Sequence, residues 1–148
     1  MFAMAKFVYI TARQKVGFMP ACLSHRWGQG QMMRMIKETL SLYTREISWE
    51  SIPRTFQDAI TFARHLGLAY IWIDSLCIVQ DDLMDWQEQS GIMTTIYSNS
   101  YITLAAAVSD GPESGIFTKG QRYHGTRQTL AHFTRDGVNI PILARRRH

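Results

Sequence analysis

The side chains best suited to chemistry fall in short polar blocks: Ser24-His25-Arg26-Trp27-Gly28, then Asp74-Ser75, then Asp81-Asp82 with Asp85 and Glu88 close behind. His25 is a candidate general acid or base because an imidazole titrates near neutrality. Holding the turn ahead of Gly28 by hydrogen bonding is its plainer job. Asp74 and Glu88, if brought close, would form a carboxylate pair able to divide acid and base duties. Glu88 also stands three residues after Asp85, the spacing of a helix capping box, which needs no reactivity. Cys77 suggests a nucleophile served by His25 as base and Asp74 as orienter, although Leu76-Cys77-Ile78-Val79 is the setting of a small buried hydrophobe. The aspartates 74, 81, 82 and 85 are oxygen ligands of the kind Mg²⁺ takes. Helix amino ends attract the same carboxylates, and no metal is assigned. His25, Asp74 and Glu88 are therefore the catalytic candidates, with Ser24, Arg26, Trp27, Gly28, Asp81 and Asp82 as binding candidates. Trp27 and Trp72 can offer an aromatic wall, a task that core packing contests for Trp72.

These residues need elements to hold them. Tyr70 to Ile73 is β-branched and aromatic without alternation, as in a strand buried on both faces, so Asp74 is expected at its carboxyl end. In open α/β sheets ligands bind outside that end. Phe18 to Leu23 predicts a second strand, entered through Pro20 and ending at Ser24-His25. Between them, Met32, Met35, Ile36, Leu40 and Tyr43 recur at helical spacing over 31–43. A second helix is predicted from Thr55, capped with Asp58, its face carried by Phe56, Ala59, Ile60, Ala63 and Leu66 and its stop by Gly67. A third follows the acidic turn, marked by Trp86, Met93, Ile96 and Tyr97 and started at Asp85. It ends at Ser98-Asn99-Ser100.

Tyr101 to Val108 reads as a further buried strand, and 110–115 as a turn-rich loop. Asp136-Gly137 between Thr129–Phe133 and Val138–Leu143 is a hairpin signal. Gly28 and Gly30 alone, without the third glycine of a dinucleotide fingerprint, say little for a phosphate cradle. The expected fold is α/β, a central and mainly parallel sheet with flanking helices and a C-terminal β-hairpin. The expected organisation is an N-terminal segment at 1–17 with a strand near 6–11, an α/β domain at 18–117, and an extension at 118–148 made of the hairpin and a basic tail.

Composition limits the function classes. The 148 residues are 46% hydrophobic and 19% charged, with a formal net charge of +4, which suits a globular chain able to bury a real core. No run approaches the roughly 20 apolar residues of a membrane helix, and the apolar start lacks the basic leader and cleavage site of a signal peptide. Two cysteines outside any Cys-x-x-Cys motif point to a reducing, cytoplasmic setting. Part of the charge sits in Arg145, Arg146 and Arg147, a block that suits a solvated chain end, and no nucleic-acid motif accompanies it.

Ser24-His25-Arg26-Trp27-Gly28, Ile52-Pro53-Arg54-Thr55-Phe56-Gln57-Asp58-Ala59-Ile60 and the block from Tyr70 to Asp82 together resemble the fungal heterokaryon incompatibility domain. Asp85-Trp86, Glu88, Met93, Ile96-Tyr97, Ala105-Ala106 and Gly115-Ile116-Phe117 continue that pattern in order, over roughly 21–117. Arg26 stands where the family usually has cysteine, and Ser100 where alanine is common. Family members are usually longer, so a short member or a piece of one is expected. The resemblance implies a role in self/nonself recognition and regulated cell death, through self-association or other incompatibility proteins. The family has been likened to the Toll/interleukin-1 receptor domain, some of whose members cleave NAD. That likeness implies NAD as a substrate in an alternative reading, a nucleotide hydrolase with its site near His25, Asp74 and Glu88.

Overall fold

A computed structural model describes residues 19–28, 33–107, 111–117, 127–135 and 138–145. The expected strand near 6–11, Gly30 and the Asp136-Gly137 turn lie outside them. The chain divides into two units, Met1–Ile116 and Phe117–His148.

In the first unit three strands form a wholly parallel sheet: β1 (Ala21–Ser24), β2 (Ile71–Ile73) and β3 (Ile102–Ala105), in the order β2-β1-β3. Leu23 pairs with Ile73 on one side and with Leu104 on the other. Between β1 and β2 run α1 (Lys37–Tyr43), a 3-10 turn (Trp49–Ser51) and α2 (Arg54–His65); between β2 and β3 run α3 (Asp74–Cys77) and α4 (Leu83–Ser98). This is the expected α/β class with flanking helices.

Both faces of the sheet are covered because side chains alternate along each strand. Leu23 and Ile73 turn to one face and pack with Phe56, Ala59 and Ile60 of α2. Cys22 and Trp72 turn to the other, with Cys77 and Ile78, against Met93, Ile96 and Tyr97 of α4. The Trp72 and Tyr97 rings meet edge-on, centroids 5.3 Å apart.

Several expected boundaries shift. α1 begins at Lys37, and buried Met35 precedes it in the backbone, its N–H donating to Ser75 O and its carbonyl accepting from Gln80 N. Those long-range bonds hold the segment before Lys37 outside the helix, whatever its apolar spacing. β3 is an edge strand among the described residues, half-exposed in alternation, so Tyr101 to Val108 is not buried throughout. Leu66 and Trp86 are exposed. The inward stripe of α4 is instead Gln89, Met93, Ile96 and Tyr97, at spacings of four, three and one.

The two helix starts also differ from expectation. Pro53 occupies the position before α2, and Thr55 lies inside its first turn without capping it. Thr55 Oγ1 donates to Gly111 O and accepts from Gly115 N, Thr55 N donates to Pro112 O, and Asp58 Oδ2 accepts from Ile116 N. Gly115 makes this possible with a φ of 79°, and a Cβ there would stand 2.8 Å from Asp58 Oδ2. At α4 the cap is Asp82, whose carboxylate accepts from Met84 N and Asp85 N. Asp85, expected as the start, sits in the first turn and accepts from Val79 N.

In the second unit β4 (Arg127–Arg135) and β5 (Val138–Arg145) pair antiparallel, with an irregularity between Thr129 and Ala131.

Candidate functional site

β1 and β2 run the same way in matched register, so the residues just beyond them, His25 and Asp74, emerge at one rim of the sheet. In a 2-1-3 strand order the chain leaves the central strand in one direction and returns on its other side, which opens a crevice at the carboxyl ends. The described residues bridge that rim in two places. Ala106 N donates to Ser24 O, and Gly111 approaches Gly28 closely enough for a Cβ on Gly111 to lie 3.9 Å from Gly28 Cα.

His25 Nδ1 and Asp74 Oδ1 are 3.7 Å apart, with side-chain exposures of 1% and 23%. The imidazole is thus buried while the carboxylate keeps one side to solvent. The His25 ring meets the edge of Phe56, centroids 4.8 Å apart at 83°. Neither ring nitrogen finds a hydrogen-bond partner among the described residues. Burial lowers the His25 pKa below the ordinary 6.5, and the Asp74 charge opposes that shift without reversing it. A neutral imidazole with both nitrogens uncommitted, beside a carboxylate, can accept a proton or orient a polar group. Buried polar atoms left unpaired are costly, and such sites cluster where function demands them.

Asp74 is held from several directions. Its Oδ1 accepts from Ser75 N at 2.7 Å, and its Oδ2 accepts from Trp27 Nε1 at 3.0 Å. Its backbone carbonyl accepts from Gln80 Nε2 at 3.1 Å. Ser75 Oγ, fully buried next door, has no partner among the described residues. Tyr97 OH donates to Leu23 O, and burial, then the Asp74 charge, pushes its pKa up to about 12, so the phenol stays neutral.

The site candidates divide. Ser24, His25, Trp27, Gly28 and Asp74 gather at this rim; Ser24, Trp27 and Gly28 are exposed, and Gly28 has a φ of 74°. Arg26, between them, is exposed. Glu88 is exposed on α4, and no hydrogen bond or ion pair among the described residues joins it to Asp74. Asp81 and Asp82 are engaged in structure: Asp81 Oδ1 accepts from Lys37 N at the start of α1, while Asp82 caps α4 and pairs with Lys37 Nζ at 3.2 Å. Asp81 therefore serves α1 and not the helix that follows the acidic turn. No group of three or more metal-ligating side chains occurs among the described residues.

Cys77 packs in the α4-side cluster, away from the Phe56 cluster that receives His25. Cys22 is buried in the same α4-side cluster, and burial raises its thiol to about 11. Neither cysteine is in a disulfide. Sequence reasoning gave Ser75 no role beside the pair and missed Phe56 as a neighbour of His25. Ser75 follows Asp74 directly and was legible as a polar residue at a strand end, whereas Phe56 carries only a core signal.

The family model for heterokaryon incompatibility protein (HET) matches residues 21–147 and so extends through the second unit. No curated protein and no solved structure matches the chain. No helix among the described residues is long and apolar enough to cross a membrane.

Proposed function

We propose that this chain, which belongs to the heterokaryon incompatibility family, takes part in self/nonself recognition between fungal cells and triggers regulated cell death when incompatible strains fuse. It acts in the cytoplasm and signals by self-association or by engaging other incompatibility proteins. The observation that carries this is the family match across 21–147, which takes in the strand-end blocks and the second unit together. Expression of the full chain in a fungal host, with viability scored against an inert protein at equal abundance, tests it. Loss of viability together with a concentration-dependent increase in assembly size is expected. Normal growth at high abundance, with a monodisperse monomer in solution, would overturn it.

One observation favours a second reading. A buried imidazole with two uncommitted nitrogens beside Asp74 is more than an interaction surface needs. It supports a hydrolytic centre acting on NAD or another nucleotide, built on His25 and Asp74. Glu88 gains no such support from its exposed position. Chromatography of NAD and other nucleotides incubated with concentrated protein separates the two: product formation lost in His25→Gln supports the hydrolase, and a full set of intact nucleotides removes it.

A further inference from the structure

The Asp74 carboxylate is shared between two neighbours that want it differently. The Trp27 indole N–H holds Oδ2 at 3.0 Å, while His25 Nδ1 waits 3.7 Å from Oδ1, beyond the reach of a hydrogen bond. Ser75 N, a backbone donor at 2.7 Å, keeps Oδ1 in place. Trp27 is 40% exposed and its bond to Asp74 lies at the surface, so this is the commitment of Asp74 most open to solvent and to a partner. Trp27 is followed by Gly28, which adopts a φ of 74° and, lacking a Cβ, leaves the adjoining backbone free to change direction.

We infer that Trp27 is a positioning residue that latches Asp74 away from His25, and that release of the indole lets the carboxylate turn and close on His25 Nδ1. The latched form keeps His25 neutral and uncommitted. The released form makes a charge-assisted bond between the two side chains, which favours the imidazolium. The exposed tryptophan is then the handle by which a bound molecule or a second protein would change the protonation of a group it does not touch.

The groups around His25 leave Asp74 as the partner that matters. α2 contributes the uncharged Phe56 ring, the charge that acts on His25 is that of Asp74, and on its own segment Arg26 is exposed. This inference rests on treating the strand-end pair as a working centre and not on the incompatibility role, so it can fail or stand independently of that role.

The test is a histidine titration of the full chain by NMR, with the His25 resonance assigned by its loss in His25→Gln. Trp27→Phe keeps an aromatic ring and removes the indole donor, and its position at the surface spares the core. It is expected to move the His25 midpoint upward. In an Asp74→Asn background the same Trp27→Phe change is expected to leave the midpoint where it was, because the closing charge is gone. An unchanged or lower midpoint in Trp27→Phe overturns the inference. So does an equal rise in both backgrounds, which would mean that Trp27 acts by shielding the ring and not through Asp74.

Discussion

The first turns of α2 and α4 carry similar polar signals in sequence and do opposite work. At α4, Asp82 is partly exposed and bonds backbone of its own helix, with Met84 and Asp85 as donors. At α2, Thr55 and Asp58 are 0% and 2% exposed and turn away from their own helix to hold Gly111, Gly115 and Ile116, more than fifty residues along the chain. A local cap steadies one helix end. The buried clamp instead fixes a distant loop that reaches Gly28, on the same turn of helix whose Phe56 supports His25. The difference is one of partner and burial, and spacing along the chain records neither.

The contrast fixes an order of effects in urea denaturation. Asp58→Ala removes a buried acceptor from Ile116 N and from the Arg54 side chain, which pairs with it at 3.6 Å. It is expected to cost the most, about 3 kcal/mol, the upper range for stranding a buried polar group. Thr55→Ala removes the hydroxyl that accepts from Gly115 N and donates to Gly111 O, an expected loss of about 2 kcal/mol. Asp82→Ala should lower the urea midpoint less than either, because water replaces the cap at an accessible helix end. Glu88→Ala, at an exposed position, should leave the midpoint unchanged. An Asp82→Ala loss as large as that of Asp58→Ala would erase the distinction between clamp and cap.

Proton linkage sharpens the same comparison at the rim. Burial depresses the folded-state pKa of His25 below the 6.5 of the unfolded chain, so the unfolded state takes up the proton first. The stability associated with neutral His25 is therefore full above pH 6.5 and drains away as pH falls toward the lower folded value. His25→Gln should flatten that part of the stability-pH curve relative to the parent chain. A curve of identical slope in both proteins would mean that His25 is not held neutral by burial.

Much of this was legible in the chain. The Tyr70-Ile71-Trp72-Ile73 run stops at Asp74, and Ala21-Cys22-Leu23 stops before His25, so two strand ends bearing chemistry could be named, and their parallel pairing follows from the helices between them. What was not legible depends on long-range partners. Met35 has the periodicity of a helical residue, yet bonds to Ser75 and Gln80 keep its backbone outside α1. Asp81 looks like part of one acidic cluster with Asp82 and Asp85, yet it serves α1. Gln89 is polar and carries no core signal in sequence, although it is 2% exposed on the inward stripe of α4. Alternation also failed to reveal that β3 lies at an edge among the described residues, because strand order is not written in any single strand.

Cell killing by paired variants bears most directly on whether the rim formed by β1 and β2 is the working part of the molecule. His25→Gln and Asp74→Asn, expressed in a fungal host at the abundance of the parent chain and shown by circular dichroism to keep its fold, are expected to abolish death, while Glu88→Ala kills normally. Undiminished killing by both folded rim variants would contradict the account.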